Sequence, residues 1–386
     1  MDKKCFYIKD TKRKKRIENI KENCIECNIC VKNCSMLKEF GGNPKKIFGR
    51  ILEEGQFEAR LPYSCAICGK CKEACPKDLN MAKAFMDLRV ETVEQNNGKT
   101  PLKEHNSVHM HQKLGFSKLF TKYVEDKNRE TNKVERVFFP GCTLPAYSPE
   151  LVLKIYEYLR EELPGTSMLL ECCGKPTETL GEEGKFNKLF SNVEKHIRDT
   201  GAVEVITACQ NCYMIMKNYS KDIKVRSLWT TLEEIGLPDN AVNKGDNSKV
   251  KFSIHDSCAT RHEKEIQSSI RWIMKELGYE ILEGDNIKNR TNCCGTGGMI
   301  HAVNSKVSNA MMREAAKKAG QDYIITYCAG CRESMIKGGA KSLHILDLIF
   351  GEKIVNEHKD IKINSPLKSW SNRLKTKRMI IISIEF

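Results

Sequence analysis

A five-cysteine pattern occurs twice in this 386-residue chain and constrains its fold more than any other feature. The first copy runs Cys142, then Cys172-Cys173-Gly174, then Cys209-Gln210-Asn211-Cys212. The second runs Cys258, then Cys293-Cys294-Gly295, then Cys328-Ala329-Gly330-Cys331. The intervening stretches are 29 and 35 residues in the first copy and 34 and 33 in the second. The flanks repeat too: Ile206-Thr207-Ala208 before Cys209 answers Ile325-Thr326-Tyr327 before Cys328. An offset of 116 to 121 residues makes each copy a small domain rather than a solenoid unit.

Five thiols gathered by one fold from three places point to a metal or redox site. Two disulfides with a spare thiol would suit a secreted chain, but the start, Met1-Asp2-Lys3-Lys4-Cys5, lacks the apolar stretch of a signal peptide. Zinc is the serious alternative. It takes four tetrahedral ligands, so a fifth cysteine held in register would be surplus. An iron–sulfur centre is the expectation.

Nearer the N-terminus stand Cys24-Ile25-Glu26-Cys27-Asn28-Ile29-Cys30-Val31-Lys32-Asn33-Cys34 and Cys65-Ala66-Ile67-Cys68-Gly69-Lys70-Cys71-Lys72-Glu73-Ala74-Cys75-Pro76. Both are C-x2-C-x2-C-x3-C, a spacing similar to that of bacterial-type ferredoxins. The resemblance implies two cubane 4Fe-4S clusters with crossed fourth ligands. One would use Cys24, Cys27, Cys30 and Cys75, the other Cys65, Cys68, Cys71 and Cys34. Ser35 replaces the usual Pro after Cys34. With ten cysteines in the repeats and eight here, Cys5 is the remaining one of 19.

The repeated pattern resembles the CCG-type cysteine-rich domain, paired in the catalytic subunit of heterodisulfide reductases. That domain also occurs in iron–sulfur subunits of anaerobic glycerol-3-phosphate, glycolate and lactate dehydrogenases. The resemblance implies one or two non-cubane 4Fe-4S clusters. One would be held by Cys142, Cys172, Cys173, Cys209 and Cys212, the other by Cys258, Cys293, Cys294, Cys328 and Cys331. It further implies an oxidoreductase in which two cubanes feed two sites that cleave a disulfide. The alternative is an electron-transfer subunit linking a flavin dehydrogenase to a quinone or membrane partner. The partner is then a flavoprotein or membrane cytochrome; no flavin, NAD or nucleic-acid site is read from the chain.

The expected architecture is mixed: an N-terminal α-helical ferredoxin domain followed by a duplicated α/β cysteine-rich domain pair. The expected boundaries are a basic arm over 1–20, the ferredoxin-type domain over 21–95 and a linker over 96–133. The cysteine-rich domains follow over 134–245 and 246–350, then a basic tail over 351–386. Leu79–Val90 reads as a helix with Met81, Phe85 and Leu88 on one face. In the repeats, strands such as 137–139, 168–170, 203–207 and 323–326 alternate with amphipathic helices and deliver cysteines from their ends. The two repeats are expected to face each other, thiols toward the interface.

The formal charge is +14, and residues 1–21 and 356–386 together hold +10 of it. Such ends read as solvated tails, with docking to an acidic partner or anionic lipid as the alternative. The expected location is cytoplasmic, peripheral on the inner membrane face if the ends bind lipid. His255 and Asp256, before Cys258, and His301, after the second Cys-Cys-Gly, are the nearest candidate proton donors, a core histidine being the competing reading. Lys175 is a candidate for an anionic substrate group, and Gly174, Gly295, Gly297 and Gly298 suit close backbone approach. His105, His109 and His111 fall in the linker and receive no role.

Overall fold

The computed structural model describes residues 4–320, 323–351 and 361–385, with the side chains of 383–385 excepted. Residues 1–3 of the expected arm, and 352–360 and 386 of the expected tail, lie outside them. The elements form a mixed α/β structure with three sheets.

The N-terminal residues fold onto the protein instead of trailing into solvent. Strand β1 (Cys5–Tyr7) pairs antiparallel with β2 (Gln56–Glu58), setting Phe6 opposite Phe57. Asp10 caps the helix Thr11–Asn23 by accepting from the Arg13 N–H, and Ile17 and Ile20 of that helix are buried. The charge of the arm is answered by an acidic stripe on the helix Met81–Glu94. Arg13 binds Glu94 at 2.6 Å and Glu91 at 3.3 Å, and Arg16 binds Asp87 at 2.6 Å. The opposite face of Met81–Glu94 buries Met81, Phe85 and Leu88 as its periodicity predicts. Phe85 lies 5.1 Å from Phe48 of the helix Pro44–Glu54.

Residues 96–133 are more than a linker. The Asn96-to-Pro101 turn does form, with Asn97 and Gly98 at φ 54° and 75°. Beyond it come the helix Asn106–Gly115 and β3 (Lys122–Val124). β3 extends the sheet of the first repeat by pairing antiparallel with β5 (Thr166–Leu170). The other strands, β4 (Arg136–Phe139), β6 (Glu204–Thr207) and β7 (Lys224–Ser227), are parallel to β5, in the order β3-β5-β4-β6-β7. Alternation along the strands splits the core into two layers. Phe138 and Ile206 pack with Val152, Ile155 and Leu159 of the helix Pro149–Glu162. Val137, Phe139 and Val205 pack on the other face with Phe186, Phe190, Val193 and Ile197 of Glu183–Arg198.

The second repeat is a reduced copy. Strands β8 (Phe252–His255), β9 (Tyr323–Thr326) and β10 (Ser342–His344) are parallel in the order β10-β9-β8. The counterpart of β5 shrinks to one bridge between Phe252 and Ile281. Residues 283–292, Glu-Gly-Asp-Asn-Ile-Lys-Asn-Arg-Thr-Asn, have too few apolar side chains to run as a buried parallel strand. One apolar core nevertheless joins Phe138 and Ile206 of the first repeat to Phe252, Ile254 and Ile325 of the second.

The C-terminal residues also fold back. The helix Pro366–Glu385 takes in the apolar run 379–384 and buries Ile380. It lies across the segment that follows Cys142. Asn364 and Asn372 each donate to the Ala146 and Tyr147 carbonyls, and Thr376 Oγ1 donates to the Pro145 carbonyl. Among the described residues no helix is long and apolar enough to cross a membrane.

Candidate functional site

The two ferredoxin-type loops share a backbone. In the first, Glu26 and Asn28 flank Cys27 at φ 54° and 59°; in the second, Ile67 and Gly69 flank Cys68 at φ 52° and 75°. A left-handed residue on each side of the central cysteine curls the loop around its own thiols. For Ile67, a β-branched residue, that conformation costs about 1–2 kcal/mol. The same curl turns the Ile67 N–H toward Cys65 Sγ at 3.4 Å.

The fourth thiols cross over. Cys75 joins Cys24, Cys27 and Cys30 around one cavity. Cys34 joins Cys65, Cys68 and Cys71 around another. Burial, then the neighbouring thiols Cys24, Cys75 and Cys27, push Cys30 up to about 11. Burial, then Cys34 and Cys68, push Cys65 up to about 12. Thiols packed like this ionise together only around a cationic core, which is what an iron–sulfide cluster supplies. Cys5 is exposed on β1, apart from both sets.

In each repeat all five thiols converge at the carboxyl ends of the strands. Cys142 sits against Cys172, and Cys212 against both Cys173 and Cys209. Gly141, at φ 75°, is required here: a Cβ would stand 3.0 Å from Cys212 Sγ. In the second set Cys293 lies against Cys258 and Cys294. Cys331 Sγ is 3.4 Å from Cys294 Sγ and also lies against Cys328. The Gly295 N–H points at Cys293 Sγ at 3.4 Å. The two C-x2-C turns meet where Gln210 donates to the Tyr327 carbonyl at 3.4 Å.

The ferredoxin loop and the second repeat touch through sulfur. Cys68 is drawn down to about 6, first by a thiol hydrogen bond from Cys293. Gly297 and Gly298 make this approach possible. A Cβ on Gly298 would fall 2.4 Å from the Cys65 carbonyl, and one on Gly297 2.9 Å from the Ala66 carbonyl. These two glycines, read from sequence as suited to close backbone approach, make that approach to the ferredoxin backbone. Gly174 and Gly295 pack against Phe186 and the Ser308 carbonyl.

Of the candidate proton donors, His255 is at the site. A ring nitrogen of His255 and the sulfurs of Cys294 and Cys331 lie within 4.8 Å of one another, all buried. Among the described residues its Nε2 has no hydrogen-bond partner. Asp256 is committed elsewhere, to Arg271 at 2.8 and 3.0 Å, the Lys288 N–H and the Tyr327 hydroxyl. His301 is exposed and bonds Ser308 Oγ at 3.2 Å, so no described contact brings it to the thiols. Lys175 is paired with Glu178 at 2.7 Å.

Two groups at the first site escaped the sequence reading. His111 from the connector and Arg373 from the C-terminal helix both act on Cys142, after Cys172, in holding it well below the usual thiol range. They bond each other at 3.1 Å. The other connector histidines are structural: His105 is buried on Thr100 Oγ1, and His109 bonds Glu182 at 2.8 Å.

Comparison with known proteins agrees with this geometry. The chain matches a 4Fe-4S dicluster domain over residues 23–80 and a cysteine-rich domain over 136–217 and 252–336. These define an iron–sulfur electron-transfer protein. One component of the fumarate reductase (CoM/CoB) of Methanothermobacter marburgensis is 25% identical over 363 residues, covering 84% of this chain and 71% of that protein. One component of the dihydromethanophenazine:CoB–CoM heterodisulfide reductase of Methanosarcina acetivorans is 22% identical over 373 residues, covering 82% and 88%. The EtfAB:quinone oxidoreductase of Syntrophomonas wolfei is 25% identical over 184 residues, covering 44% of this chain and 26% of that one. A crystal structure of a hypothetical protein from Helicobacter pylori has a similar fold, with a TM-score of 0.50 at 12% identity, over 89% of this chain and 73% of its own. The chain belongs to the heterodisulfide reductase-like iron–sulfur proteins, with a 4Fe-4S dicluster domain fused to two cysteine-rich domains.

Proposed function

We propose that the chain passes electrons from two cubane 4Fe-4S clusters to two non-cubane clusters in the repeats, where a disulfide or related substrate is reduced. Cys24, Cys27, Cys30 and Cys75 would hold the first cubane, and Cys34, Cys65, Cys68 and Cys71 the second. The two five-cysteine sets would hold the non-cubane clusters, which supply one-electron redox steps and iron able to bind sulfur. The observation that carries this reading is that Cys68 of the ferredoxin loop and Cys293 of the second repeat line one cavity, close enough for a thiol hydrogen bond.

Cleavage of a disulfide consumes two electrons and two protons and releases two thiols. The electrons enter from a redox partner, a flavoprotein or membrane cytochrome, at the ferredoxin domain. His255, buried against Cys294, is the group placed to hold a proton beside the second set. Cys142 and Cys258, following the strands β4 and β8, would complete the two five-cysteine sets against Cys172 and Cys293.

Anaerobically purified protein should carry iron and acid-labile sulfide for four clusters, and a disulfide should change the EPR signal of the repeat sites. Unchanged signals, with electrons delivered to a quinone by a partner complex, would make the chain a relay component instead. One observation favours a second reading for the second repeat alone: the His255, Cys294 and Cys331 trio is a donor set that suits zinc. Stoichiometric zinc with correspondingly less iron would establish that reading.

A further inference from the structure

Two guanidinium groups are buried beside the second ferredoxin-type set, and neither has a carboxylate partner among the described residues. Arg89 is fully buried on the helix Met81–Glu94. It donates to the Cys65 carbonyl at 2.6 Å, the Thr179 carbonyl at 2.6 Å and the Pro62 carbonyl at 3.1 Å. Arg261 of the second repeat is 3% exposed and donates twice to the Cys68 carbonyl, at 3.1 and 3.2 Å, and to the Asn289 carbonyl. Acids on neighbouring elements are engaged elsewhere: Glu178 with Lys175 at 2.7 Å, Glu73 with His262 at 3.4 Å, and Glu314, which lines the same cavity, with Lys318 at 2.8 Å. Lys70 adds a half-buried ammonium on the same loop, bonded to Asn286 Oδ1 at 3.1 Å.

Among the described residues the first set has no buried guanidinium beside it. The charges around it are open to solvent: Lys45 paired with Glu26, Lys72 paired with Asp78, and the exposed Lys77 at the cavity edge. An arginine keeps its charge even when buried. A buried cation with only carbonyls around it is expensive unless negative charge stands close by. Four cysteinate ligands and the electron accepted by their cluster would provide that charge.

We propose that Arg89 and Arg261 set the direction of electron flow, holding the cluster site of Cys34, Cys65, Cys68 and Cys71 at a higher reduction potential than that of Cys24, Cys27, Cys30 and Cys75. This rests on the iron–sulfur reading above. Each transfer moves one electron: the first site is oxidised as the second is reduced, and a low-potential redox partner replenishes the first. Arg89 and Arg261 act as positioning and charge-compensating residues, each linking a cysteine carbonyl to a different domain.

The test uses the full-length holoprotein, with iron and sulfide counted first, and potentiometric titration followed by EPR. Loss of one signal in Cys75→Ser assigns the first site. Arg261→Gln should lower the higher potential enough for a tenfold shift in that site's reduction equilibrium, about 59 mV for a one-electron couple. The lower potential should stay, and Arg261→Lys should retain most of the higher one. Lys70→Gln, which cuts no domain contact through a guanidinium, should shift the same potential by less and serves if Arg261→Gln does not fold. An unmoved higher potential in iron-replete variants, a shift confined to the lower one, or equal shifts in Arg261→Lys and Arg261→Gln would overturn the proposal while leaving the functional reading intact. Wild-type protein without iron at these sites would overturn both.

Discussion

The segment after Cys142 should be held by two amides that substitute for each other, so losing both should cost more than the sum of the single losses. The helix Thr143–Tyr147 is too short to satisfy its own last carbonyls. Asn364 Nδ2 reaches the Ala146 and Tyr147 carbonyls at 3.1 and 2.9 Å, and Asn372 Nδ2 reaches the same two at 3.0 and 3.2 Å. Each single Asn→Ala change removes two hydrogen bonds but leaves each carbonyl one donor, for a cost of about 1–3 kcal/mol. The double change leaves both carbonyls without a side-chain donor, adding roughly 1–3 kcal/mol of coupling beyond additivity. Hydrogen exchange at the Ser148 amide, bonded to the Leu144 carbonyl at 2.9 Å, reports this local opening directly. The double variant should also release iron from the first repeat while the second keeps its own. Additivity at Ser148 to within about 0.5 kcal/mol would show that the two amides do not share the load.

Cys34→Ser should abolish the cluster signal of the Cys65 loop, and Cys75→Ser that of the Cys24 loop, each sparing its own motif's other site; EPR of the two variants checks the crossing. Burial, and then Arg332, hold His344 down to about 3, and its Nδ1 accepts from the Leu346 N–H. Burial, and then Arg89, hold His105 down to about 3. Unfolded chains protonate these rings near pH 6.5 while the folded protein does not, so the stability they contribute is complete above that pH. It should fall by about 1.4 kcal/mol per pH unit for each as pH drops from 6.5 toward 3. His344→Asn, which can keep the cap, should remove one proton's share of that slope in denaturant titrations at pH 7, 6 and 5. Tyr327→Phe should cost about 1–3 kcal/mol because the buried Ser257 N–H loses its acceptor at 3.0 Å, and it should lower iron retention in the second repeat only.

The cysteines and the strands that carry them were legible because both are local signals. Spacing defines the thiol loops, and short apolar runs such as 137–139 and 323–326 can only be buried strands once helices flank them. The ends were misread because charge was counted without its partners. Arg13 and Arg16 look solvated until Asp87, Glu91 and Glu94, four and three residues apart on one helix face, are set against them; that spacing was available in the sequence. No comparable signal marks the C-terminal helix, whose contacts with residues 145–147 span more than 200 positions. His111 was noted, but its partners Cys142 and Arg373 come from elements that only the tertiary fold brings together. The missing strand of the second repeat follows from polar composition around residues 283–292, which the repeat analogy concealed.

Duplication supplies two equivalent thiol sets, and what covers each of them makes them different. At the position where the second repeat has His255 beside Cys294, the first has Phe139, turned into an apolar layer with Phe186 and Phe190. At the first site, a histidine comes instead from the connector, with an arginine from the C-terminal helix. Over the second site lies the ferredoxin loop itself, tied down by Arg261 and brought to sulfur contact by two glycines. On the proposed function, electrons arriving along the ferredoxin domain would meet the second repeat first and reach the first repeat where the two C-x2-C turns touch. That order of use would run against the order of the repeats in the chain, because the element that reaches Cys293 is the loop of Cys65 and Cys68, while the C-terminal helix returns to close over Cys142.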